Sequence, residues 1–170
     1  MITLVCGPPC AGKTTHVRAN AQPGDLVLDV DRLAQQCGSD RTHNHKQTFR
    51  DQAEVLMESY LDELEAAEHT DAWVIRTCPD PDDRAELAAR IHADEVIVLI
   101  EDQALLLQRA LERHSPEHTI RIINWWFKVY EPSDVDDLTT SSTATVPAAL
   151  LHHHLNTWTG DAPALQMFED

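Results

Sequence analysis

Lysine is all but missing from this chain: Lys13, Lys46 and Lys128 are the only three in 170 residues, and the formal net charge is −16. So acidic a surface repels nucleic acid over long distances. A polynucleotide ligand would need a local basic funnel, whereas a small phosphate-bearing ligand needs only a basic pocket. Long apolar runs are missing too. No stretch approaches the ~20 residues of a membrane span, and the first residues read as a strand rather than a signal peptide. The expected place is the cytoplasm of a cell or of an infected host. Cysteine is sparse: Cys6, Cys10, Cys37 and Cys78 form neither C-x-x-C nor a Cys/His metal spacing, which argues against structural zinc and a disulfide framework. What is present is 42% apolar residues, enough for one domain with a real core and too many for a disordered chain.

The chain is organised around its N-terminus. An apolar run, Ile2 to Cys6, feeds Gly7-Pro8-Pro9-Cys10-Ala11-Gly12-Lys13-Thr14-Thr15, which fits G-x-x-x-x-G-K-[ST] without a mismatch. Gly7 and Gly12 let the backbone curl, so that N–H groups including those of Cys10, Ala11 and Thr15 face one centre, as a polyphosphate requires. A helix opening at Lys13 adds its positive end. Lys13 reaches the β- and γ-phosphates of a bound nucleotide, and the Thr14 hydroxyl is placed to ligate the bridging Mg²⁺.

Downstream, strands and helices alternate. A first helix runs from Lys13 to about Ala21, and Leu26 to Leu28 is a short buried strand. Gln36 to Gln47 is polar and His-rich and reads as a mobile loop. Thr48 to about His69 repeats apolar residues at spacings of three and four, a long amphipathic helix. Ala72 to Ile75 is the third strand, Asp82 to Ala93 a helix, and Glu95 to Ile100 a fourth strand apolar enough to be buried on both faces. Helices follow over Asp102 to His114 and Pro116 to Tyr130, the second with Ser115 as N-cap. The pattern predicts an α/β fold: a P-loop NTPase-type parallel sheet of four or five strands, helices on both faces, and a helical lid. Ser133 to Thr145 reads as loop and Pro147 to Asn156 as one further helix.

Several other residues could carry chemistry. Asp29 and Asp31 end the second strand, on the edge where parallel sheets place their sites. A carboxylate there could accept the proton of an attacking hydroxyl, or Asp31 could merely cap the next helix. Arg109 and Arg113, four apart and opposite Leu107 and Leu111, suit a lid that supplies cations over a γ-phosphate; a solvated face is the plainer reading. Arg76 ends the third strand and could clamp a phosphate or pair with Asp29 or Asp31. His43 is a candidate substrate contact, though His43 and His45 also suit an ordinary polar loop. Trp125-Trp126-Phe127 lies on a helix with two apolar stripes: Ile120, Ile123, Phe127 and Tyr130 on one, Ile122, Trp125 and Val129 on the other. One stripe packs the core. The second covers the tail or a second copy, or else forms an aromatic platform for a base. His152 to His154 resembles a metal tract by composition alone and is assigned no site.

With these residues collected, the chain over about 1–131 resembles the P-loop kinases of the polynucleotide 5′-hydroxyl kinase type, including small phage-encoded members. Gly7 to Thr15 matches the phosphate loop, Asp31 falls where that family carries its general-base aspartate, Arg109 and Arg113 repeat the spacing of its paired lid arginines, and the element order agrees. The family's arginine three residues after the base is Ala34 here, with Arg32 as the nearby substitute. Its Asp-Thr-Asn after the third strand is Arg76-Thr77-Cys78. Both departures touch the acceptor side.

The resemblance implies a kinase domain over 1–131 and an extension over 132–170. It implies transfer of the γ-phosphoryl of ATP, or another NTP, with Mg²⁺, to a hydroxyl of a DNA or RNA end or a nucleoside-like acceptor. Lys13, Arg109 and Arg113 would neutralise the transition state, Asp31 would take the proton, and Asp29, Arg32, His43 and Arg76 would meet the acceptor. The acidic charge favours a nucleotide or small-metabolite kinase instead. A third possibility, from another class, is an ATP-binding switch or assembly module that hydrolyses slowly.

Overall fold

The computed structural model describes residues 1–66, 71–113, 116–134 and 136–139. Five parallel strands form one sheet in the order β2-β3-β1-β4-β5: β1 (Ile2–Cys6), β2 (Leu26–Asp29), β3 (Ala72–Ile75), β4 (Glu95–Leu99) and β5 (Asp137–Thr139). Between them run α1 (Lys13–Asn20), α2 (Val30–Gln36), α3 (Gln47–Ala66), α4 (Pro81–Arg90), α5 (Gln103–Leu111) and α6 (Pro116–Val129). Alternation along β1 divides the core in two. Ile2, Leu4 and Cys6 join Leu33, Ala34, Ala53, Met57, Leu61 and Ile91 on the face covered by α2, α3 and α4. Val5 joins Val17, Leu106 and Ala110 on the face covered by α1 and α5. α6 serves both, through Trp126 on the first and Ile123 on the second. The expected sheet with helices on both faces is therefore the observed one. Among the described residues no helix is long and apolar enough to cross a membrane.

Chain direction creates the site. β1 and β3 are neighbours, yet the helix after β1 lies on one face and the helix after β3 on the other. Their carboxyl ends therefore diverge and leave a crevice, the switch point at which such sheets bind ligands.

Four departures from the sequence reading have physical causes. β5 lies in the stretch read as loop: three residues with no apolar run become a strand because β4 offers an open edge, with Ile100 N–H donating to the Thr139 carbonyl at 2.9 Å. Residues Val30–Gln36 form a helix, and Asp29 rather than Asp31 caps it, accepting from Asp31 N–H at 3.1 Å. α5 buries Leu106 and Ala110, while Leu111 is 66% exposed, so the face opposite the arginines is not the packed one. Trp126, on neither apolar stripe, is fully buried and donates its indole N–H to the Thr77 carbonyl at 2.7 Å. Ser115, the helix expected at Pro147 to Asn156, and His152 to His154 lie outside the described residues.

Arg84 is the most costly residue in the core. Its guanidinium is fully buried and donates to both carboxylate oxygens of Asp136, at 3.0 and 2.7 Å, and to the carbonyls of Cys78, Pro79 and Glu131. It also lies over the Tyr130 ring. Removing one member of such a pair leaves an uncompensated buried charge. Asp136→Ala is expected to lose about 3–5 kcal/mol of unfolding free energy in urea titration, far more than an exposed aspartate would.

Candidate active site

The loop after β1 has the backbone its glycines were expected to allow. Gly7 has φ +139°, Cys10 +67° and Gly12 +91°. A Cβ on Gly7 would collide with the Leu99 carbonyl oxygen of β4, so only glycine fits there. Gly12 caps α1 with no side-chain hydrogen bond, which leaves the first amides of that helix to whatever enters the loop. Lys13 crosses the loop from inside: its Nζ donates to the carbonyls of Gly7 and Pro8, both at 2.8 Å.

Enclosure at the cleft floor disfavours the charged ammonium of Lys13 and lowers its pKa to about 8. A polyanion at the loop would favour the charged form, so binding draws a proton onto Lys13 as pH rises past 8. Below pH 8 the ammonium is already charged and affinity should be level. Above it, affinity should fall by up to about tenfold per pH unit, so that a nucleotide titrated calorimetrically binds about tenfold more weakly at pH 9 than at pH 7.

The two carboxylates after β2 have different work. Asp29 is buried and accepts from the Thr14 hydroxyl at 2.9 Å, which fixes that oxygen at the loop's edge. Thr14 Oγ1 is a hard oxygen donor of the kind Mg²⁺ accepts. Among the described residues no group of three His, Cys, Asp or Glu gathers as a metal site. Asp31 is 43% exposed and points into the cleft, with His43 Nδ1 2.7 Å from one oxygen.

One cavity of 1110 Å³ gathers nearly all the residues singled out from the sequence. Cys10, Gly12, Lys13, Thr14 and Thr15 form one wall; Asp29, Asp31, Arg32 and His43 form another; Arg109 and Arg113 stand over the loop. Gly7 and Ala11 lie behind the lining and shape it. Arg109 donates to the Cys10 carbonyl at 3.0 Å, tying α5 to the loop. Arg113 lies two residues past the end of α5. Arg76 lines the cleft but pairs with Glu54 at 2.9 Å, not with Asp29 or Asp31, because α3 carries that glutamate across the end of β3. Arg50 and His118 are members the sequence did not single out. Arg50 Nη1 lies 3.3 Å from His118 Nε2, 68 residues away, and burial followed by the charge of Arg50 lowers the imidazole's pKa, so the ring is the acceptor. Trp125 is half-exposed and lines the same wall with Ile122.

No family model and no curated protein matches the chain. Solved structures do. One is a chain of the PezAT chromosomal toxin–antitoxin system of Streptococcus pneumoniae, 15% identical, with a TM-score of 0.54 over 91% of this chain and 76% of that one. Another is a protein of Chloroflexus aurantiacus j-10-fl assigned as a kinase, 13% identical, with a TM-score of 0.54 over 92% and 96%. At that identity the likeness is one of fold alone, an α/β sheet flanked by helices; in this chain the sheet is five-stranded and parallel, and the G-x-x-x-x-G-K-T loop follows β1.

Proposed function

We propose that the protein is a nucleotide-dependent kinase that moves the γ-phosphoryl group of ATP to a hydroxyl of a nucleic-acid or nucleoside-like acceptor. The observation that carries this is one cleft with cations and a helix N-terminus at one end and an exposed carboxylate at the other. A Mg²⁺ held through Thr14 would supply neutralising charge to the phosphates. The chain's residues do the rest. The loop amides and Lys13 hold the phosphates, Thr14 ligates the ion, and Asp29 keeps the Thr14 hydroxyl in place. Arg109, anchored on the Cys10 carbonyl, and Arg113 offset charge on the equatorial oxygens as the bond to the leaving group lengthens. Removal of the hydroxyl proton falls to the end of the cleft where Asp31 stands. Arg32, Arg50 and the half-exposed Trp125 face the acceptor, and a flat indole beside cations suits a base and its phosphate or sugar. The kinase unit would span 1–131, with β5 of the extension completing its sheet. The Chloroflexus protein's assignment agrees with the class.

The net charge of −16 favours a second reading, a nucleotide or small-metabolite kinase, because a polyanion would be repelled at long range. Gamma-labelled ATP incubated with 5′-hydroxyl DNA, 5′-hydroxyl RNA, nucleosides and nucleotides tests both. Label should pass to one of these acceptors, with ADP release dependent on it. ATP consumed with no acceptor labelled would mark a hydrolysing switch and end the kinase reading.

A further inference from the structure

Asp31 is engaged on both sides before any acceptor arrives. Its Oδ2 lies 2.7 Å from His43 Nδ1, and its Oδ1 lies 3.1 Å from His45 Nε2 in a geometry short of a full hydrogen bond. The second ring is fixed from behind. Ser39 Oγ accepts from the Arg41 N–H at 3.4 Å and stands 2.7 Å from His45 Nδ1. Ser39 thus holds the ring at Nδ1 and leaves Nε2 as the edge facing Asp31. His45 is buried, its Nε2 otherwise unpartnered. A carboxylate flanked by two imidazole nitrogens is placed to orient a ring. His43 is the ring that lines the cleft, with 42% of its side chain exposed. With Nδ1–H held by Asp31, the neutral ring keeps its lone pair on Nε2, the nitrogen left to meet a ligand.

We infer that His43 is the catalytic base and Asp31 its positioning residue. The inference rests on the kinase reading and assigns the proton within it. The acceptor O–H bond breaks, its proton goes to His43 Nε2, and the oxygen bonds to the γ-phosphorus. The bond to the β,γ-bridging oxygen breaks, and its electron pair leaves on ADP. Asp31 stabilises the imidazolium until the proton passes to water.

The test compares the parent with His43→Asn on whichever panel member the parent phosphorylates fastest: 5′-hydroxyl DNA, 5′-hydroxyl RNA, nucleoside or nucleotide. Asparagine keeps an N–H at the Nδ1 position, so Asp31 keeps its donor while Nε2 is gone. The expected result is a kcat lowered by more than about tenfold and at least as far as Asp31→Asn lowers it, with the KM for ATP within about twofold. Added imidazole should restore part of the rate of His43→Ala, which no purely structural role predicts. A His43→Asn enzyme within about tenfold of the parent kcat would place the proton on Asp31 and overturn the inference while leaving the kinase standing. A parent that labels no acceptor removes the kinase reading and this inference together.

Discussion

Lys13→Ala is expected to all but remove phosphoryl transfer, with a loss on the order of 10²–10³-fold. Lys13 is the one side chain that rises from within the loop, and its two present partners, the carbonyls of Gly7 and Pro8, mark where the loop turns. In the nucleotide complex those bonds would give way to phosphate oxygens on which charge grows in the transition state. One such donor in an enclosed site is worth about 3–4 kcal/mol. Arg109 and Arg113 cannot replace it. Arg109 is tied to the outside of the loop at Cys10, and a guanidinium is too broad for the position of an ammonium. The variant should fold. Losing two hydrogen bonds is offset by losing an enclosed charge whose pKa is already driven down by burial, so thermal melting should move little. Calorimetric titration with ATP, melting and labelled transfer measured together separate these effects. A variant with full activity would end the phosphate-loop reading.

The second large effect is at Asp31. Asp31→Asn should lower turnover by roughly 10²–10⁴-fold while ATP affinity stays within about twofold. The asymmetry follows from the division of labour after β2: Asp29, not Asp31, holds Thr14, so the nucleotide end of the cleft is untouched. The amide would lose the charge that steadies the His43 ring, and its N–H₂ could force the ring into the wrong tautomer. Stability should change little, because Asp31 is 43% exposed. If Asp29→Asn proves more damaging to turnover than Asp31→Asn, the carboxylate on which turnover depends is the buried one that ends the strand.

What the sequence disclosed and what it hid divide along a physical line. Features set by neighbours in the chain were legible. The phosphate loop's glycines, the four apolar strands and the long α3 periodicity are all local, and they imply a sheet edge where Lys13, Asp29 and Asp31 meet. Features decided by partners far along the chain were not. Arg76 could be read as facing Asp29 or Asp31, but the helix packed across β3 supplied Glu54. Arg50 and His118 meet only because α3 and α6 converge on one wall. Trp125 and Trp126 are neighbours of one type, yet one is buried and the other half-exposed, because successive helix residues point about 100° apart and only Trp126 turns to the core. β5 has no pattern of its own, and its strand character is borrowed from β4.

The buried pair of Arg84 and Asp136 also sets a clock on the ribosome. Arg84 leaves the exit tunnel 52 residues ahead of its counter-charge. Until Asp136 follows, the guanidinium would have to enter the core against carbonyls alone, a costly burial. The nascent chain can assemble β1 to β4 and still hold that corner open, so the last step of folding should wait for the segment that brings Asp136 and the β5 edge together. A released chain truncated just before Asp136 should therefore remain sensitive to protease near Cys78 and Pro79, whose carbonyls take the same guanidinium, and one reaching past Thr139 should not.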